Sequence, residues 1–187
     1  DPHVWFSPEI WSICVSTVMN KLIELNPELE SQIRENAQQT LSELQEIKAW
    51  SLDQVRQIPQ ERRKLVTSHD AFRYFGKDLG LEVIGLQGMS TNVEAGLADR
   101  ANLVDFIKKQ NISAIFVETS VNPAAMNQIA KESGVVIGGE LFSDALGSPD
   151  ESAIGPAGKS FDLDSWGGMM VHNVSTIVEA LGTKDQP

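Results

Sequence analysis

From residue 64 onward the chain alternates short β-rich runs with helical stretches, and few folds accommodate that pattern. The runs are Lys64-Leu65-Val66-Thr67, Glu82-Val83-Ile84-Gly85-Leu86, Ala114-Ile115-Phe116-Val117 and Val135-Val136-Ile137-Gly138. Helical patterns separate them over 71–79, 92–110 and 123–133, and a last one covers 164–181. Thr91-x-x-Glu94 has the form of a capping box at the start of the second helix, and Gly134 closes the third. Strands alternating with helices are joined by crossovers, which make the strands parallel and lay the helices over the sheet. The expected fold class is therefore α/β, a four-stranded parallel sheet with helices on both faces. The stretch 147–160, rich in Gly, Pro and Ser, is expected to be a mobile surface loop.

A different texture precedes the sheet. Ser7-Pro8 reads as a helix start, with Ser7 as N-cap, and Trp11, Cys14, Val15, Val18, Leu22 and Leu25 recur at helical spacing. Asn26-Pro27 ends that helix and opens another, carrying Leu29, Ile33, Ala37, Leu41, Leu44 and Ile47 at the α period. The pattern continues through Trp50, Val55 and Ile58 to Pro59 and reads as one long helix, a break near Ser51 being the alternative. Unbroken, 27–58 would reach about 48 Å at roughly 1.5 Å per residue. A period of 3.6 rather than 3.5 favours a straight helix over a coiled coil. The expected organisation is an interlobe segment with the first helix over 1–26, a long backbone helix over 27–59 and an α/β lobe over 60–187.

Composition narrows the function. Apolar residues make up 41% of the chain, which supports a globular core and excludes disorder. The net charge of −11 repels phosphate backbones, and no basic stripe interrupts it, so no nucleic-acid partner is expected. The single cysteine, Cys14, excludes an internal disulfide and a Cys-rich zinc site. Asp1-Pro2-His3-Val4-Trp5 is neither a signal peptide nor an ordinary translation start and reads as the interior of a longer protein.

In an open parallel sheet, ligands bind beyond the carboxyl ends of the strands. There the first strand runs into Ser68-His69-Asp70, the second ends at Gln87, the third at Glu118, and the fourth leads through Glu140 to Ser143-Asp144. His3, just before the first helix, can reach the same edge. Two neutral imidazoles and a carboxylate are ordinary donors for a borderline divalent ion. Each also has a plainer reading: His69 as a strand-edge residue, Asp144 as a turn cap, Asp70 as N-cap of the helix at 71, Glu118 and Glu140 as rim residues, and His172 as a packing residue. Phosphate-binding loops, dinucleotide fingerprints and the nucleophile elbow are absent from the sequence. A zinc hydrolase using the His/His/Asp set, with Glu118 as base, is the enzymatic alternative.

Three motifs in this order and spacing resemble one family. Asp1-Pro2-His3-Val4-Trp5, Thr67-Ser68-His69-Asp70-Ala71-Phe72-x-Tyr74-Phe75 and Gly138-Gly139-Glu140-Leu141-Phe142-Ser143-Asp144-Ala145-Leu146-Gly147 are similar to the zinc/manganese substrate-binding proteins of ABC transporters, the TroA-like or cluster A-I receptors. The resemblance covers essentially the whole chain but only the C-terminal part of the family's fold. It implies a two-lobed, non-enzymatic receptor that captures Zn2+ or Mn2+ as its transported ligand, in the periplasm or as a cell-surface lipoprotein, and passes it to a permease in the cytoplasmic membrane. An adhesin-like surface lipoprotein is a variant of that reading. His3, His69 and Asp144 match three metal ligands, and an N-terminal lobe outside these residues would supply a fourth, a histidine. Histidine at position 69 leans the metal toward zinc, since many manganese and iron relatives carry Glu there. Three imidazoles and a carboxylate close a tetrahedral site and leave no position for an activated water, which disfavours the hydrolase.

Overall fold

A computed structural model describes residues 1–89 and 96–182. Within them the chain forms helices α1 (Pro8–Leu25), α2 (Glu30–Val55), α3 (Arg73–Leu79), α4 (Leu97–Gln110), α5 (Ala124–Ser133) and α6 (Trp166–Leu181). The strands are β1 (Lys64–His69), β2 (Glu82–Gln87), β3 (Ala114–Glu118), β4 (Val136–Leu141), β5 (Ser152–Ile154) and β6 (Ser160–Asp162). No described helix is long and apolar enough to cross a membrane.

The α/β class holds, but the sheet is divided. Among the described residues, ladders join β1 to β2 and β3 to β4, each pair parallel, rather than all four strands continuously. β1 and β3 nevertheless lie side by side. Arg62 Nε donates to Ser113 Oγ (3.4 Å) at their heads, and His69 N donates to Glu118 Oε1 (2.9 Å) at their tails, so they run in the same direction. The spatial order is β2-β1-β3-β4, and both central strands end at one edge.

Strand periodicity explains the two cores. Leu65, Ala114 and Phe116 face one side with Val171, Val174 and Ile177 of α6, Ile47 of α2 and Phe75 of α3. Their neighbours Val66, Ile115 and Val117 face the other side with Leu103, Val104 and Ile107 of α4 and Met126 and Ile129 of α5. Alternate side chains point to opposite faces, so each central strand is buried on both.

β4 carries a local adjustment. Ile115 pairs with Ile137 and Phe116 with Gly139, which leaves Gly138 as the extra residue of a bulge. A side chain at Gly138 would meet Ala180 Cβ at 2.7 Å and Phe116 Cε1 at 2.9 Å, and one at Gly139 would clash with Thr176 Cγ2. Only glycines let α6 cross this close. The bulge also re-aims the strand, so that Leu141 pairs with Glu118 and the chain leaves toward Asp144 at the same edge.

Several local expectations are corrected. Ser7 sits at the N-cap position of α1, but its hydroxyl donates to Asp78 Oδ2 (2.6 Å) and accepts no N–H of the helix. The long backbone helix is present as α2, which runs through Ser51 without a break, the buried Ser51 hydroxyl satisfied by Ile47 O (2.7 Å). Asp70 does not cap α3, which starts at Arg73 with Phe72 as N-cap; its carboxylate pairs with Arg73 instead. The 147–160 loop contains part of an antiparallel hairpin, β5–β6, turned by Pro156–Gly158. Gly155 there packs against Val171 and Phe161. The capping box at Thr91 and Glu94 falls outside the described residues; the described helix starts at Leu97, with Asp99 Oδ2 accepting from Gly96 N (3.0 Å).

Candidate metal centre

β1 and β3 deliver His69 and Glu118 to the same edge. Both lie on the parity of Leu65 and Ala114, so both side chains turn toward the α6 side of the sheet. Asp144 follows β4 on a segment held by side chains from two elements. Asn173 of α6 accepts from Phe142 N (2.9 Å) and donates to Phe142 O (2.8 Å), while the Ser143 and Ser120 hydroxyls share a hydrogen bond (2.8 Å). His3 arrives on the N-terminal segment, which is anchored by Phe6 stacked on Phe72 (4.7 Å between centroids). Trp5 Nε1 donates to Ser143 O (3.1 Å) and Trp166 Nε1 to Trp5 O (2.8 Å).

These elements bring His3, His69 and Asp144 together: one donor atom from each lies within 4.8 Å of the others. His3 Nε2 is 3.4 Å from Asp144 Oδ1, and His69 Nε2 is 3.3 Å from Asp144 Oδ2. The imidazoles meet edge to face, 5.4 Å apart. Both rings are buried, whereas Asp144 is one-third exposed at its side chain, so the cluster opens on the Asp144 side. Beside it lies a cleft of about 500 Å3 walled by Trp5, Trp11, Trp166 and Met169.

Each imidazole is held from behind by a second carboxylate. Asp1 Oδ1 lies 2.7 Å from His3 Nδ1 and also accepts from His3 N (3.0 Å). Glu118 Oε2 lies 2.6 Å from His69 Nδ1. The ring N–H does not aim straight along that line, but only a shared proton makes so short an approach favourable. Both Nε2 atoms therefore face Asp144. Carboxylates placed this way orient ligating histidines and raise their basicity.

The two rings differ electrostatically. Burial, outweighing Asp144, holds the His3 imidazole below its ordinary 6.5. For His69 burial also pulls down, but the hydrogen bond and charge of Glu118, with Asp144 and Asp70, together overcome it and hold the ring above 6.5.

Other candidates stand elsewhere. Glu118 commits both oxygens to His69 and is 1% exposed, so it is not placed as a base for a water at the Nε2 side. Glu140 is an exposed residue of β4 whose backbone carbonyl lies 3.0 Å from His172 Nε2; the His172 ring packs on Phe142. Asp1 and the backing role of Glu118 were not anticipated. The available signal was parity: continuing β3 past Val117 puts Glu118 on a buried face, where a carboxylate needs a partner.

Comparison with known proteins agrees along the chain. The family model of ZnuA, the periplasmic component A of a zinc-uptake complex, matches residues 1–180. The manganese-binding lipoprotein MntA of Bacillus subtilis (strain 168) is 40% identical over 186 residues, covering 97% of this chain and 58% of its own. The zinc-binding protein TroA of Treponema pallidum (strain Nichols) is 39% identical over 186 residues, with 97% and 57% covered. The solved structure of the Treponema pallidum periplasmic zinc-binding protein TroA superimposes with a TM-score of 0.88 at 38% identity, over 98% of this chain and 64% of that one. The chain thus spans under two thirds of the length of these relatives. A fold, a motif order and a family match that run together over nearly every residue make this chain a member of the ZnuA family of metal-uptake components.

Proposed function

We propose that this chain is the metal-capturing C-terminal part of an extracytoplasmic receptor for an ABC importer, with Zn2+ or Mn2+ as cargo and no catalytic role. The observation that carries the reading is the convergence of His3, His69 and Asp144 on one opening, each imidazole presenting Nε2. Residues 1–26 then act as the interlobe segment with the first helix, 27–59 as the backbone helix and 60–187 as the lobe. A histidine from an N-terminal lobe completes four protein donors, and a permease in the cytoplasmic membrane receives the ion. The protein works in the periplasm or on the cell surface as a lipoprotein; MntA is named a lipoprotein and TroA a periplasmic protein.

Commitment of Glu118 to His69 favours this over hydrolysis, because it withdraws the base that the hydrolase reading assigned to Glu118. Metal analysis of the natural protein at its full encoded length, purified without added metal, tests the reading. Near-stoichiometric zinc or manganese supports it. Protein that carries neither and shows no heat on titration with either ion overturns it.

A further inference from the structure

His69 ends β1 with no exposed surface, so its neighbours decide what its ring can do. Glu118 brings one oxygen to each of two His69 nitrogens: Oε1 accepts from the backbone N at 2.9 Å, and Oε2 lies 2.6 Å from Nδ1. A carboxylate accepts at both oxygens, and Oε2 is far nearer to Nδ1 (2.6 Å) than Asp144 Oδ2 is to Nε2 (3.3 Å), so the geometry favours the proton of a neutral ring at Nδ1. In a neutral imidazole the other nitrogen is then the lone-pair donor. That nitrogen, Nε2, is the one facing Asp144 and the cluster opening.

We propose that Glu118 is a positioning residue that locks the neutral His69 ring in its Nδ1–H tautomer, so that its Nε2 lone pair is presented to a divalent cation. The proposal rests on the receptor reading for its purpose, but the lock itself is a property of the metal-free ring. Isosteric replacement makes this testable. In E118Q one end of the side chain becomes an NH2 that can only donate. The backbone N–H of His69 can only donate as well, so it takes the amide oxygen and leaves the NH2 against Nδ1. The ring then accepts at Nδ1 and moves its proton to Nε2, which removes the lone pair that would bind metal. E118D keeps two acceptors on a shorter arm and retains the tautomer.

Nitrogen-15 NMR of the metal-free natural protein, at its full encoded length and at a pH high enough that titration shows the His69 ring to be neutral, reads the tautomer directly. We expect Nδ1 to carry the proton in wild type and E118D, and Nε2 to carry it in E118Q. Zinc calorimetry should show about 10–100-fold weaker binding in E118Q and a smaller loss in E118D. A wild-type His69 protonated at Nε2 overturns the lock. So does an E118Q protein with unchanged zinc affinity, or with weakened affinity and an unmoved proton. Should E118Q fail to fold, wild type and E118D decide: loss of the Nδ1 proton in E118D is equally fatal. Wild type that binds no zinc defeats the receptor reading alone, because the tautomers are still read.

Discussion

The two histidines of the cluster face the same carboxylate but are built in opposite ways. His69 stands at a strand terminus and takes its backing carboxylate from a residue 49 positions away on the neighbouring strand. His3 stands in an irregular segment and takes its own from Asp1, two positions before it. Glu118 is buried with His69, while the Asp1 side chain is 12% exposed. One arm is therefore as rigid as the sheet that holds it. The other depends on the aromatic anchor of Trp5 and Phe6 for its place. The divergent electrostatics follow: a fully enclosed carboxylate overcomes the burial of His69, and the neighbours of His3 do not overcome its own.

The sharpest way to break this comparison is to remove each backing carboxylate. Glu118→Ala leaves the His69 backbone N–H and ring without their buried partner and should cost about 3–5 kcal/mol of stability. Asp1→Ala removes a partly exposed carboxylate whose place water can take beside the buried His3, and should cost less, about 1 kcal/mol. Urea unfolding at neutral pH measures both, and equal losses would mean that the arms are equally rigid. Removing the rings themselves should have a more even effect. If a four-donor zinc site yields about 10–16 kcal/mol, each donor contributes roughly 3 kcal/mol, or about two decades of affinity. His69→Ala and His3→Ala should therefore each weaken zinc binding about 100-fold by calorimetry. An affinity unchanged in His3→Ala would leave His69 and Asp144 without their partner.

Much of this arrangement was legible. Alternation of β-rich and helical runs located the four parallel strands and the helices between them. Reading the residue after each strand assembled His69, Asp144 and Glu118 on one edge. What escaped depended on distance or on brevity. The β5–β6 hairpin has strands of three residues, too short for a period to register. Asp70 resembled a cap because the position where β1 ends, relative to the first turn of α3, is set by the pairing of His69 with Gln87. Glu118 appeared as a base or rim residue because only the neighbour relation of β1 and β3 turns it onto Nδ1.

Titration sharpens the electrostatic half of the comparison. His69 is held above 6.5 in the folded state, so its contribution to stability is fully present below about 6.5 and is lost as pH rises through the higher folded value. His3 is held below 6.5, so its neutral form is favoured by folding; stability is lost as pH falls below about 6.5, where the unfolded imidazole binds a proton first. The two slopes oppose each other. In the metal-free protein, His3→Gln should unmask stability that grows on acidification, and His69→Gln stability that declines. NMR titration of the C–H resonances gives the same order directly, and a His3 that titrates above His69 would invert the picture. Zinc affinity should begin to fall as pH drops through the raised His69 value, since that ring protonates first.

Asp144 belongs to neither arm and depends on its own supports. Asn173→Ala leaves Phe142 N and O without their side-chain partner in a buried setting and should cost about 2 kcal/mol. Ser143→Ala removes one hydrogen bond to Ser120, an exposed residue whose hydroxyl can turn to water, and should cost about 1 kcal/mol or less. The difference separates two ways of holding the carboxylate. If the main-chain clamp from α6 sets its position, zinc affinity should fall in Asn173→Ala and stay within about threefold of wild type in Ser143→Ala, under about 0.7 kcal/mol. If the hydroxyl pair sets it, the order reverses. Calorimetry on the two variants decides, and a reversed order would mean that the edge of β3, not α6, determines where Asp144 meets the two imidazoles.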